Sequence, residues 1–187
     1  GSVMCIRDRF IIEEVGRSSA EIASLQKGDS LAVLSGPLGT PLDMEQFKPG
    51  SKALLLGGCY GIAAIYSIAR ELKKRGVKVV SAIEASSSYM LYYKDKLSEV
   101  SDELMVFTRD GSEGRKGGCI NAMQERGGEF DEIIAVGCVF MMKQCASKAP
   151  VSDSIDMFCS LNPIMVDGTG MCGAVSYTHL RAHETGA

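Results

Sequence analysis

The sequence predicts an α/β fold in which a five-stranded parallel sheet carries helices on both faces. Short apolar runs of strand length alternate, between residues 51 and 159, with segments whose apolar residues recur at helical spacing. Glycine-rich or polar loops follow three of the apolar runs. This alternation indicates parallel strands joined by right-handed helical crossovers, with ligands bound at the carboxyl ends of the strands.

The predicted elements follow one another in a regular order. Ile62, Ile65, Ala69 and Leu72 mark the apolar face of the first helix after residue 50, and basic residues followed by Gly76 mark its end. The predicted strands cover residues 52–57, 77–83, 104–108, 133–136 and 155–159, and the predicted helices cover residues 62–72, 89–100, 118–125 and 140–148.

The N-terminal part of the chain has a different pattern. Residues 10–15 and 31–34 read as two β-strands that flank a short helix over residues 20–25. Ser18 and Glu21 have the spacing of a capping box, in which Ser18 caps the helix. The same turn offers backbone N–H groups to a phosphate, although an ordinary cap is the interpretation that the pattern alone favours. A Pro-Gly pair places a domain boundary near residue 50.

Composition excludes several classes of protein. The net charge is −3 and no basic patch stands out, so we expect no nucleic-acid binding. No apolar run approaches the roughly 20 residues that span a bilayer. The seven cysteines form no Cys-x-x-Cys pair, which indicates reduced thiols and not a disulfide framework. We therefore expect a cytoplasmic protein that does not associate with membranes.

Both ends of the sequence read as adapter-derived. Residues 4–9 and 175–185 match translations of the transposase-end sequence used to build sequencing libraries, and Gly1 and Ser2 are typical of cloning. We therefore assign residues 1–9 and 175–187 to scars and exclude them from fold reasoning. This assignment removes both histidines, at positions 179 and 183, from any native site, and it implies that the natural gene extends beyond both ends.

The three loops at the predicted strand ends carry residues suited to a nucleotide. The first loop, G-G-C-Y-G, lets a pyrophosphate approach backbone N–H groups at a helix start, although it departs from the G-x-G-x-x-G spacing. A methionine after the last of these loops could lie against a flat ring, with an ordinary core position as the alternative. The three loops are residues 57–61, 108–114 and 137–142.

Glu84 closes the second predicted strand of the sheet. A carboxylate at this place can accept hydrogen bonds from a ribose 2′-hydroxyl and would repel a 2′-phosphate. The position therefore favours NAD(H) over NADP(H). A solvated acid at a strand end is an equally good interpretation.

A family resemblance rests on six motifs that occur in order. They are G-x-S-S, G-P-L-G-x-P, G-G-x-x-G-I-A, T-x-D-G-S-x-G-x-K-G, G-x-x-x-M-M-K and S-L-N-P-I-M-V-D-G-T-G-M-C-G. This series resembles the FAD/NAD-binding small subunit of reduced ferredoxin:NADP oxidoreductase, also called sulfide dehydrogenase. It is similar, more distantly, to the electron-transfer subunit of dihydroorotate dehydrogenase. The resemblance covers nearly all of residues 10–174.

The resemblance implies a ferredoxin-reductase-like module. Residues 10–50 would be the remnant of a truncated β-barrel that binds FAD, residues 51–159 the NAD(P) domain, and residues 160–174 a truncated loop for a 2Fe-2S cluster. Hydride would pass between nicotinamide and flavin, and the cluster would relay single electrons to a larger flavin and iron–sulfur subunit, with ferredoxin or a similar acceptor. Gly16, Ser18 and Ser19 match the FAD pyrophosphate contact, and Asp167 and Cys172 match cluster ligands. The resemblance further implies site residues in the nucleotide domain: Gly58 and Gly61 in the dinucleotide turn, Thr108, Asp110 and Gly111 in the loop near the nicotinamide half, and Gly137 with Met141 as the floor beneath it.

Some departures from the family pattern limit this expectation. The flavin-binding segment expected before Phe10 is absent, and Ser86 stands where relatives often have arginine. The third cluster thiol would stand at position 175, inside the scar, and the fourth beyond the end. We therefore expect the full-length parent, and not this chain, to hold the 2Fe-2S cluster. The alternatives are a non-catalytic nucleotide-binding module that docks to a partner, and the dihydroorotate dehydrogenase branch.

Overall fold

A computed structural model describes residues 10–33, 42–149 and 155–160. The chain divides into two compact units, Gly1–Leu38 and Gly39–Ala187. The described part of the first unit contains one helix, α1 (Arg17–Ala23), and no strand. The strand predicted over residues 10–15 is therefore wrong, as is the described part of the strand predicted over residues 31–34. A strand needs a hydrogen-bonded neighbour, and the described residues of this unit supply none.

The N-terminus of α1 also differs from the prediction. Its N-cap is Gly16, and the Ser19 hydroxyl accepts hydrogen bonds from the backbone N–H groups of Val15 and Gly16, each at 3.0 Å. The prediction that Ser18 caps the helix is wrong because the helix begins three residues earlier than expected. The hydroxyl that reaches back to the first turn therefore belongs to Ser19.

The second unit is built on a six-stranded parallel sheet with the strand order β4-β3-β2-β1-β5-β6. Its strands are β1 (Lys52–Gly58), β2 (Lys78–Ala85), β3 (Glu103–Thr108), β4 (Arg115–Lys116), β5 (Glu132–Val136) and β6 (Asp156–Ser160). Its helices are α2 (Gly61–Lys74), α3 (Lys94–Val100), α4 (Cys119–Arg126) and α5 (Val139–Lys148). Short 3₁₀ turns occupy Met44–Gln46, Ser88–Met90 and Gly127–Glu129. None of the described helices is long and apolar enough to cross a membrane.

The five predicted strands and the parallel sheet are confirmed, and the sixth strand, β4, is the correction. It has only two residues, which pair with Phe107 and Thr108 at the carboxyl end of β3. Both residues of β4 are cations, so no apolar pattern marks the strand. The Arg115 guanidinium lies 5.3 Å from the centre of the Phe107 ring and binds both carboxylate oxygens of Glu125.

Helices cover both faces of the sheet, as predicted. Leu55 and Ile83 face α2 and α3, whereas Leu54 and Leu56 face α4 and α5, because successive side chains of a strand point to opposite faces. Phe47 is only 2% exposed and packs into the core on the α2 side. Residues 42–49 therefore belong to the sheet unit, and the boundary expected near residue 50 lies earlier in the chain.

The strand order reverses at the border between β1 and β5. The chain leaves β1 towards β2 and β3 on one side, and later returns to the other side of β1 with β5. Gly57 of β1 pairs with Val136 of β5 at the last described step of this ladder. In open α/β sheets, the crevice outside the carboxyl ends of two such strands is the usual ligand site.

Candidate functional site

Three of the predicted site residues meet at this switch point. Ideal Cβ atoms built on Gly58 and on Gly137 would each lie 2.5 Å from the sulfur of Met141. The Cβ of Gly137 would also lie 3.3 Å from the carbonyl oxygen of Gly58. The two glycines therefore leave room for the side chain of Met141, which is 5% exposed and packs beneath the crevice at the carboxyl ends of β1 and β5.

Gly61 also has a packing role that the sequence did not predict. A Cβ at this position would lie 1.9 Å from the backbone oxygen of Val136, a distance too short for two non-bonded atoms. Glycine is therefore required for the first turn of α2 to pack against the end of β5. Its backbone still lies at the N-terminus of a 14-residue helix, where the helix dipole favours an anion.

The turn between β1 and α2 contains a residue in the left-handed region. Cys59 has a φ of 52°, which costs energy for a residue with a side chain. Its N–H donates to the carbonyl oxygen of Glu84 at 3.3 Å, and its own carbonyl accepts a 3.0 Å hydrogen bond from the Tyr92 hydroxyl. These contacts hold the turn in its strained conformation.

Tyr60 crosses from this turn to the neighbouring one. Its hydroxyl donates to the carbonyl oxygen of Gly137, and its side chain remains 45% exposed. Sequence reasoning missed both Tyr60 and Tyr92. An aromatic residue inside a glycine-rich loop was the available signal for Tyr60, whereas nothing in the sequence marked Tyr92.

Glu84 lies beneath the crevice and not at its surface. It is 6% exposed, and its Oε2 oxygen accepts a 2.8 Å hydrogen bond from the backbone N–H of Cys119. Its Oε1 oxygen lies 3.5 Å from Nη2 of Arg109. The alternative of a solvated acid is therefore wrong. A ribose contact stays a prediction, and Arg109, which sequence reasoning missed, offsets part of the negative charge.

The loop after β3 contains the next predicted residues. The buried Thr108 hydroxyl accepts from the Glu113 N–H at 3.1 Å and donates to the Glu113 carbonyl at 2.7 Å, so it closes the loop on itself. Asp110 is exposed, and hydrogen bonds from the Ser112 hydroxyl and N–H lower the pKa of its carboxyl. Gly111 has a φ of +78°, which explains why glycine stands there.

Two buried thiols lie behind Met141. The Cys119 sulfur is 3.9 Å from the Met141 sulfur, and burial raises the pKa of Cys119 well above its usual range. Burial likewise raises the pKa of Cys145 to about 12. Both thiols are therefore protonated and unreactive at neutral pH.

The remaining predicted residues fall into two groups. Gly16, Ser18 and Ser19 lie at the start of α1, where the Ser19 hydroxyl is already used to cap the helix. Asp167 and Cys172, the predicted cluster ligands, lie outside the described residues. Within the described part of the chain, no group of three His, Cys, Asp or Glu side chains is arranged to hold a metal ion.

Comparisons with known proteins agree with this architecture. No protein-family model matches the sequence. A dihydroorotate dehydrogenase B (NAD(+)) electron-transfer subunit homologue of Thermotoga maritima is 41% identical over 172 residues, which cover 91% of this chain and 59% of that protein. The electron-transfer subunit of dihydroorotate dehydrogenase B (NAD(+)) from Bacillus caldolyticus is 35% identical over 176 residues, covering 94% of this chain and 66% of that protein.

The chain also resembles a solved structure. The structure of an NADH-dependent reduced ferredoxin-NADP oxidoreductase matches it with a TM-score of 0.75 and 40% identity, over 87% of this chain and 58% of that chain. A parallel sheet covered on both faces, with a glycine-lined crevice at its switch point, defines an α/β domain of the ferredoxin-reductase-like class.

The chain belongs to the ferredoxin-reductase-like family and is similar to electron-transfer subunits within it. The resemblance inferred from the sequence motifs is therefore confirmed, and both branches that it named occur among these relatives. The chain spans about three fifths of the length of the Thermotoga maritima relative.

Proposed function

We propose that this chain is part of an electron-transfer oxidoreductase subunit that passes hydride and electrons between NAD(P)H, FAD and a 2Fe-2S cluster. The electrons would go to a larger flavin and iron–sulfur subunit, with ferredoxin or a similar protein as acceptor, in the cytoplasm. The observation that carries the proposal is the crevice between Gly58 and Gly137 above Met141. It stands at the switch point of a domain whose relatives are electron-transfer subunits.

The residues of the crevice fit a nicotinamide nucleotide. Any side chain at Gly58 or Gly137 would collide with Met141, so both positions are restricted to glycine, which places no side chain between the backbone and a ligand. The N-terminus of α2 supports the negative charge of a pyrophosphate. Bound NAD(P)H supplies the hydride, and the protein contributes binding, orientation and exclusion of water.

The flavin and cluster assignments rest on the family resemblance. Gly16, Ser18 and Ser19 are the proposed FAD pyrophosphate contacts; Gly16 and Ser18 are exposed and Ser19 is half-buried, and no atom lies within 4 Å of a Cβ built on Gly16. Asp167 and Cys172 are the proposed cluster ligands in the full-length parent. Their residue types, carboxylate and thiolate, suit iron coordination.

Nucleotide binding by the whole chain tests the proposal. NADH and NADPH are titrated against the protein and followed by nucleotide fluorescence, which benefits from the absence of tryptophan in the chain. We expect saturable binding in the wild type. Gly137→Ala should weaken it about tenfold, because the new Cβ collides with the Met141 sulfur and shifts the backbone that the nucleotide approaches.

Gly128→Ala is the matched control, because no atom lies within 4 Å of a Cβ at that position. It should bind like the wild type. Absence of nucleotide binding by the wild type and by every folded variant of the site would refute the proposal. Equal binding by the wild type and the Gly137→Ala variant would show that the nucleotide does not bind at the crevice.

A further inference from the structure

The ring of Tyr60 spans the mouth of the crevice between β1 and β5. Tyr60 immediately precedes Gly61 in the turn after β1, yet its hydroxyl donates to the carbonyl oxygen of Gly137 in the turn after β5. The bond therefore joins the two walls that Gly58 and Gly137 form. Met141 packs against both walls from the core side, and Tyr60 joins them at the mouth of the crevice.

The backbone that carries Tyr60 is held firmly while its ring is not. The Tyr92 hydroxyl lies 3.0 Å from the Cys59 oxygen and 3.3 Å from the Tyr60 oxygen, which anchors the turn to the segment before α3. The Tyr60 side chain, in contrast, is 45% exposed and borders solvent. Rotation of this side chain away from Gly137 thus breaks one hydrogen bond without disturbing the turn.

We propose that Tyr60 is a gate that closes the crevice in the ligand-free protein and must release Gly137 before a nucleotide enters. The proposal rests on the proposed function, because it takes the crevice as the nucleotide site. A dinucleotide that approaches the backbone of Gly58 and Gly137 occupies the space that the Tyr60 ring spans. The closed state therefore competes with the ligand, and the apparent affinity is reduced by the population of that state.

Truncation of a gate and truncation of an ordinary binding residue change the nucleotide affinity in opposite directions. A side chain that contacts the nucleotide loses affinity when it is truncated. When the gate is held closed by one hydrogen bond, removal of the hydroxyl raises the nucleotide affinity of the protein, because a bond with a typical net strength of about 0.5–1.5 kcal/mol no longer has to be broken. The expected gain on removal of the hydroxyl is about three- to tenfold.

Three variants of the full chain test this proposal by fluorescence titration with NADH. Tyr60→Phe keeps the ring and removes only the hydroxyl, and it should bind about three- to tenfold more tightly than the wild type. Tyr60→Ala removes the ring as well and should bind at least as tightly as Tyr60→Phe. Tyr92→Phe removes a hydroxyl that supports the same turn without crossing the crevice, and it should show no gain. Melting temperatures confirm that each variant is folded.

The outcomes separate the gate from the proposed function. Wild-type binding that Tyr60→Phe leaves unchanged or weakens overturns the gate and leaves the nucleotide site standing. A loss of affinity in Tyr60→Ala alone also overturns it, since the ring would then contact the ligand. Binding by Tyr60→Ala in the absence of wild-type binding supports both proposals. Absence of binding in every folded variant overturns both.

Discussion

The Oε2 oxygen of Glu84, at the end of β2, accepts a 2.8 Å hydrogen bond from the backbone N–H of Cys119, the first residue of α4. The carboxylate therefore caps a helix that begins 35 residues later in the chain. Its negative charge at the N-terminus of α4 interacts favourably with the helix dipole. The contact also fixes the position of Glu84 directly below Gly58, since a Cβ on Gly58 would lie 3.3 Å from its Cγ.

Removal of this carboxylate should destabilise the sheet unit. In Glu84→Ala the buried Cys119 N–H loses its acceptor, which costs about 1–3 kcal/mol of the free energy of unfolding. Glu84→Gln keeps an oxygen in the same place and should cost less. Urea denaturation followed by circular dichroism measures both values. Equal losses in the two variants would show that the charge, and not the hydrogen bond, supports the helix.

Gly61 should be the glycine least tolerant of substitution in the described site. Gly61→Ala forces a Cβ to within 1.9 Å of the Val136 oxygen, so α2 must move away from β5. We expect a loss of about 3 kcal/mol in the free energy of unfolding. Gly128→Ala, where a Cβ meets no atom within 4 Å, should change it by less than about 0.5 kcal/mol. A stable Gly61→Ala variant would mean that the α2–β5 packing is looser than the structure indicates.

The sheet could be predicted from the sequence because its signals are local. Apolar runs such as residues 52–57 have the length of a buried strand, and the helix over Gly61–Lys74 repeats its apolar residues at helical spacing. Strand β4 could not be predicted in this way. It consists of Arg115 and Lys116, and only the neighbouring end of β3 makes those two cations a strand.

The candidate site could be predicted only in part, because its contacts join residues that are distant in sequence. Gly58, Gly137 and Met141 stood out by residue type at strand ends, and the fold brings them together. The position of Glu84 was predicted, but its burial depends on α4 and could not be. The hydrogen bond from Tyr60 to Gly137 spans 77 residues and left no local pattern.

Glu132, at the start of β5, should limit stability at neutral pH. The residue is 8% exposed, and neither its Oε2 oxygen nor the Ser51 hydroxyl oxygen has a hydrogen-bond partner within the described part of the chain. Burial raises the pKa of its carboxyl above the ordinary value of 4.5; the nearby Ser51 hydroxyl offsets part of this rise, and the neighbouring Asp131 and Asp156 add to it. The folded protein therefore binds this proton more tightly than the unfolded chain does.

The sign of the pH dependence follows from that difference. Stability contributed by a protonated Glu132 is fully present below the unfolded-state pKa and is lost as pH rises through the folded-state pKa. Glu132→Gln should weaken the pH dependence of the free energy of unfolding between the unfolded-state and folded-state pKa. It should also raise the free energy of unfolding at neutral pH by on the order of 1 kcal/mol. Denaturation midpoints measured across the acid range test this expectation. The exposed Glu99→Gln serves as the control, and a lower midpoint for Glu132→Gln at neutral pH would contradict it.

The nucleotide preference should depend on the balance between Glu84 and Arg109. We expect the wild type to prefer NADH, because Glu84 and the absence of a cation at Ser86 disfavour a 2′-phosphate. Arg109, whose Nη2 lies 3.5 Å from Glu84, offsets only part of this charge. Glu84→Gln leaves the Arg109 charge uncompensated, so NADPH should gain about three- to fivefold relative to NADH; the gain is modest because the Arg109 side chain is exposed and solvent screens its charge. Paired titrations at low and high salt measure the ratio, which should shift less at high salt. A Glu84→Gln variant that binds both nucleotides in the wild-type ratio would exclude Glu84 from nucleotide selection.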